Sequence, residues 1–113
     1  MSAEPQFDEL IHPSTRLSIV ALLASADWVD FGFARDSLRL SDSALSKQFS
    51  TLEDAGYVAV ERTRSDRRSR VRVRLTPAGR AAFDGHVAAL RAVLATANGD
   101  GLADPGPATP RKA

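Results

Sequence analysis

Arginine stands at positions 62, 64, 67, 68, 70, 72 and 74. These seven residues are nearly half of the 15 lysines and arginines in the chain. Only Glu61 and Asp66 offset them, so residues 61–74 carry +5 on a chain whose total charge is +1. The rest of the protein is therefore mildly acidic. A guanidinium offers a planar fork of donors that matches phosphate oxygens. Seven of them on one short segment point to a phosphate backbone as the ligand. For such a run standing alone, a merely solvated charged surface is an equal alternative.

A second group lies upstream. Ser43, Ser46, Lys47 and Ser50 fall on one face of a predicted helix, with Thr51 on its flank, opposite Leu45, Phe49 and Leu52 at helical spacing. Short hydroxyls are poor helix formers for a surface that only needs solubility. They do let a helix sit deep in a groove, where a lysine reaches phosphate or a guanine edge. Ser43, Ser46 and Lys47 are the stronger candidates, Ser50 and Thr51 the weaker. Gln48 suits adenine but sits nearer the buried flank. For Lys47 the plainer reading is a solvated lysine pairing with Asp54 or another acid.

Other chemistry has little to stand on. There is no cysteine, which removes disulfides, thiolate metal sites and a thiol nucleophile. The two histidines, His12 and His86, make no metal site by themselves; His12 is expected to cap or pack a helix and His86 to face solvent or a helix interface. No serine, histidine and acid are spaced for catalysis, and no glycine loop cradles phosphate, so no enzyme and no cofactor are expected. A chain of 113 residues, 43% hydrophobic and 26% charged, makes one small domain. Without an apolar leader or spanning run it is expected to be cytoplasmic, with no membrane partner. Thirteen arginines against two lysines, with abundant alanine, suggest a GC-rich bacterial source.

The elements that must position these residues follow from pattern. Residues 1–6 read as a flexible end, and Phe7 to Ile11 as a helical turn. A first helix opens at His12-Pro13-Ser14 and ends near Ala26. Asp27 to Asp30 form a small strand pairing with a hairpin. A second helix spans Phe31 to Leu40, with Phe33, Leu38 and Leu40 inward. Ser41 caps the third helix, 42–55, which Gly56 ends. Alternating valines flank Ser65-Asp66-Arg67-Arg68-Ser69, giving a hairpin with Arg67 and Arg68 at its tip. Arg62, Arg64 and Arg70 lie along its outer part. Arg72 and Arg74 pair with Asp27 or Asp30, or reach phosphate; the structural role is preferred. Thr76-Pro77 opens a fourth helix to about Asn98, with a heptad seam of Phe83, Val87, Leu90, Leu94 and Ala97. Residues 98–113 hold three glycines and three prolines and read as disordered. The domain proper is thus 7–97.

The fold class is mainly α with a small β-hairpin, in winged helix-turn-helix order. Leu10 to Leu94 resembles the stand-alone winged-helix regulators of the MarR and ArsR type. The resemblance rests on Leu10-Ile11-His12-Pro13-Ser14-Thr15-Arg16-Leu17, on Leu40 to Gln48, on Leu52-Glu53-Asp54-Ala55-Gly56-Tyr57-Val58, and on Asp66-Arg67-Arg68 followed by Val73 to Gly79. It implies a dimeric transcription regulator, commonly a repressor, whose third helix enters the major groove of double-stranded DNA. The wing, 61–74, would hold phosphate and the minor groove. The heptad seam either packs on its own domain or pairs with a second copy; the homodimer is preferred, because one recognition helix buries little surface. The chain lacks the longer flanking helices of typical MarR proteins and the cysteines of metal-sensing ArsR proteins. A small-molecule effector therefore stays open, and none is named. Trp28, Phe31 and Phe33 line an effector pocket or, as preferred, belong to the core. The rival function is a winged-helix module that binds proteins instead of DNA.

Overall fold

The computed structural model describes residues 3–65 and 68–99. Helix α1 (Ser14–Ala24) is followed by β1 (Val29–Asp30), α2 (Phe31–Leu38) and α3 (Asp42–Asp54). Then come β2 (Val58–Ser65), β3 (Arg68–Leu75) and α4 (Pro77–Asn98). The sheet order is β1-β3-β2, antiparallel throughout. This is the winged-helix order that the sequence predicts. Among the described residues no helix is long and apolar enough to cross a membrane.

Each element follows from its local sequence. Ser41 accepts a hydrogen bond from the Ala44 amide at 3.1 Å and so caps α3. Leu45, Phe49 and Leu52 bury on one face of that helix. Gly56, at φ +80°, turns the chain into β2. The first helix starts one residue later than expected, with Pro13 as its N-cap, and ends at Ala24. The second helix stops at Leu38, two residues early, because Arg39 takes the left-handed conformation at φ 57°. That conformation costs a residue with a Cβ about 1 kcal/mol. Phe33 corrects an expectation. It is 59% exposed, because Phe31, Ala34 and Leu38 form the inward stripe of α2 instead.

The core joins Ile19, Val20 and Leu23 of α1 to Leu45, Phe49 and Leu52 of α3, and to Val29, Val58 and Val73 of the sheet. Arg16, which sequence pattern passes over, ties α1 to α3. Its Nε donates to the Leu10 carbonyl at 2.6 Å and its Nη1 to Gln48 Oε1 at 3.0 Å. Gln48 is thereby held by the fold.

The root of the hairpin is closely built. The Tyr57 amide donates to the Leu52 carbonyl, and the Thr76 amide donates to the Tyr57 carbonyl, both at 3.0 Å. Thr76 Oγ1 donates to the Gly56 carbonyl and accepts from the Gly79 amide. A Cβ on Gly79 would stand 2.2 Å from the Tyr57 carbonyl oxygen, so α4 reaches β2 only through a glycine.

The N-terminal segment docks on α4. The Gln6 amide donates to the Gly85 carbonyl at 2.9 Å, so Gln6, the last residue of the segment read as flexible, is anchored there. His86 is fully buried, correcting its expected place at solvent or an interface. The Asp8 amide donates to His86 Nδ1 at 3.0 Å. That leaves Nε2 of His86 as the protonated nitrogen, donating to His12 Nδ1 at 3.3 Å. Phe7 packs edge-on against both rings. Oδ2 of the Asp8 carboxylate accepts from the Tyr57 hydroxyl, which pushes the Tyr57 pKa up to about 12.

Two outcomes follow from this packing. Gly79→Ala improves intrinsic helix propensity, yet it should destabilise by about 1–3 kcal/mol through the Tyr57 clash. A urea midpoint equal to or above wild type would contradict the close approach. Burial, then the neighbouring His12, hold the pKa of His86 below its ordinary 6.5, against smaller opposing effects of Asp8 and Glu9. A lowered histidine binds its proton more readily when unfolded. Its contribution to stability is therefore whole above about pH 6.5 and lost as pH falls through the lowered native value. The urea midpoint should drop between pH 7 and 5, with a shallower drop in His86→Gln. Identical pH profiles for the two proteins would count against this role.

Candidate nucleic-acid interface

Strand register divides the hairpin into two faces. Val58, Val60, Arg62 and Arg64 alternate onto one side of β2, opposite Leu75, Val73, Val71 and Ser69 of β3. Near the body this face is core, since Val58 and Val73 are buried. Farther out the same face becomes Arg62 and Arg64, both exposed. It therefore leaves the core alongside α3.

Arg62 lines a cleft of about 270 Å³ with Asp42, Ser46, Ser50 and Glu53 of α3, floored by Phe31, Phe49, Val60 and Val71. Ser43, Ser46, Lys47 and Ser50 are exposed on α3, as expected. Thr51 is half-buried and returns its hydroxyl to the Lys47 carbonyl at 3.2 Å. Lys47 and Asp54 form no ion pair among the described residues, where such pairs belong to Arg35, Arg70 and Arg72.

The opposite face of the hairpin is braced against the body. Arg70 bonds both carboxylate oxygens of Asp30, at 3.3 and 3.4 Å. Arg72 pairs with Glu61 and lies 4.1 Å from the centre of the Trp28 ring, with Arg74 at 5.4 Å. The sequence gives Asp30 to Arg72 or Arg74; the structure gives it to Arg70. The reason is diagonal reach: Arg72 lies directly across from Asp30, but Glu61 on β2 and Trp28 take it first. Arg70 stays 66% exposed, and such a surface pair contributes under about 1 kcal/mol. Trp28 acts as a platform for two guanidinium groups. Arg68 begins β3, exposed and paired with Ser65, so it belongs to the strand more than to the tip. Arg67 lies outside the described residues.

On α4 the buried positions are Gly79, Gly85, His86 and Ala89. The predicted seam lies on the adjoining stripe. Phe83 packs partly against the core. Val87 and Leu90 are half-buried, while Val93 and Leu94 are 51% and 61% exposed. The C-terminal end of the seam, Leu94 and Ala97, is thus left over after the domain has packed.

The described residues hold no group of three or more histidines or acids able to take a metal ion. Arg62 and the hydroxyls of Ser46 and Ser50 line this cleft beside the carboxylates of Asp42 and Glu53, and Lys47 and Arg64 stand exposed on the same two elements; cations and short hydroxyls on such a surface suit contact with an extended anion.

A family model described as a winged helix DNA-binding domain matches residues 15–94. An uncharacterized protein of Methanocaldococcus jannaschii is 25% identical over 79 residues, covering 70% of this chain and 86% of its own. Among solved structures, a transcriptional regulator homologue from Pyrococcus horikoshii superposes with a TM-score of 0.76 at 23% identity, over 80% of this chain and 90% of that one. A MarR-family transcriptional regulator from Silicibacter pomeroyi gives 0.60 at 29% identity, over 79% of this chain and 59% of that longer one.

Proposed function

The chain belongs to the family of winged helix DNA-binding domains, and from that premise we infer a transcription regulator that holds double-stranded DNA in the cleft between α3 and the hairpin. The observation that supports this most is convergence. Ser46 and Ser50 of α3 share a cleft with Arg62, on the hairpin face that carries Arg64; Lys47 is exposed on the same helix, and the opposite face of the hairpin is tied to the body through Arg70 and Asp30. The hydroxyl face of α3 enters the major groove, Lys47 and Ser46 at its centre. Arg62, Arg64 and Arg68 follow the flanking phosphates, and Arg67, between Ser65 and Arg68 in the sequence, enters the minor groove. Arg70 adds a phosphate contact when it exchanges Asp30 for DNA.

The working unit in this reading is a homodimer joined through Phe83, Val87, Leu90 and Leu94. It presents two copies of α3 about one DNA turn apart, ~34 Å, to a pseudo-palindromic operator. The exposed part of the seam supports this, because Leu94 leaves most of its surface uncovered by its own domain. Such a protein acts by occupying DNA, as a repressor does, with no catalytic step.

Fluorescence anisotropy against duplex from upstream of its own gene, over a salt series, tests the reading. With six to eight phosphate contacts per dimer, the logarithm of affinity should fall with that of salt at a slope of roughly −5 to −7. The triple variant Lys47→Ala/Arg62→Ala/Arg64→Ala removes three cations per protomer. It should make that slope shallower by roughly 4 to 5 and weaken binding at least a hundredfold in low salt. Wild-type affinity indifferent to salt, or a triple variant with unchanged slope, would refute DNA binding at this cleft.

A further inference from the structure

Arg39 forms the turn between α2 and α3. Its φ of 57° and ψ of 46° are left-handed, and it is the one described residue other than glycine with a positive φ. The turn itself is made by main chain. The Arg39 amide donates to the Asp36 carbonyl at 3.3 Å and the Leu40 amide to the Arg35 carbonyl at 3.1 Å. Those bonds form whatever side chain stands at 39, and glycine would form them without strain.

Nothing in the described protein repays the arginine. Leu38 and Leu40 on either side pack on the core, while Arg39 is exposed. The two carboxylates nearest in sequence, Asp36 and Asp42, are both taken by Arg35, at 3.0 and 2.9 Å. Arg39 makes no ion pair among the described residues. It stands two residues before Ser41, the cap of α3, beside the end of the helix that carries Ser43, Ser46 and Lys47. Strain without an internal return, held at the border of a binding surface, marks a residue whose partner lies outside the chain.

We propose that Arg39 is a phosphate contact that fixes how α3 enters the DNA groove, gripping the backbone on the side of the groove away from the hairpin. The inference rests on the DNA-binding reading above. Phosphate contacts on both sides of an inserted helix set its depth and register, and the hairpin supplies one side only. Arg39 supplies the other.

Arg39→Gly separates this role from a structural one, because the two properties should move in opposite directions. Relief of the left-handed strain should raise the Tm of the free protein by a few degrees. Affinity for the duplex in low salt should fall about tenfold or more. The salt slope should become shallower by roughly 0.9 for each protomer bound. Arg39→Lys should keep most of the affinity, since it keeps the charge. Unchanged affinity and slope in Arg39→Gly, beside tight and salt-steep wild-type binding, would overturn the proposal and leave the cleft reading intact. Wild-type protein that fails to bind duplex at any salt would overturn both.

Discussion

Three elements meet at Tyr57. Its amide closes the end of α3 on Leu52, its carbonyl receives the Thr76 amide where β3 ends, and the same carbonyl faces the Cα of Gly79 as α4 begins. Its hydroxyl meanwhile holds Asp8, whose amide holds His86. The angle between α3, hairpin and last helix is therefore set at one residue, by main-chain bonds that admit no side chain between them. Everything proposed for the cleft depends on that angle. If α4 moved off Tyr57, the hairpin root would lose Thr76, and Arg62 would no longer stand across from Ser46 and Ser50.

The hairpin then divides its arginines by the simple period of a strand. Core valines and cleft arginines share one face because residues two apart point the same way. The other face is braced by Asp30, Glu61 and Trp28. A hairpin that projects from a small domain has few internal contacts of its own. Tying Arg70 to Asp30 and resting Arg72 and Arg74 on Trp28 stiffens its base; Arg62 and Arg64 share the face turned toward α3, while Arg68 stays exposed on the braced face. The uneven charge of the sequence thus becomes an oriented one in the fold. Oriented charge is what lets a groove-binding helix be steered as well as attracted.

Much of this was legible in the chain. The stripe of Leu45, Phe49 and Leu52, the Ser41 cap and the valine alternation are local signals, and the elements they predict are present. What escaped was non-local or too short to carry a period. An eight-residue α2 gives two turns, too few to tell Phe31 from Phe33 as the inward ring. His86 sits beside a heptad seam, and its burial depends on Asp8 and His12, more than seventy residues away. The partner of Asp30 needed the register of β3, which alternation leaves free to slip along the strand. Arg39 gave no sign at all, because nothing in Leu-Arg-Leu announces a left-handed turn.

The central claim is that DNA occupies the face shared by α3 and β2. The most direct measurement is an amide NMR titration of the protein with a duplex it binds. Shifts should concentrate at Ser43, Ser46, Lys47 and Ser50 and at Arg62 and Arg64. Amides at the buried face of α4, around Gly85 and Ala89, should hold still. Shifts confined to α4, or to exposed Phe33 with the cleft silent, would contradict the account and move the binding surface elsewhere.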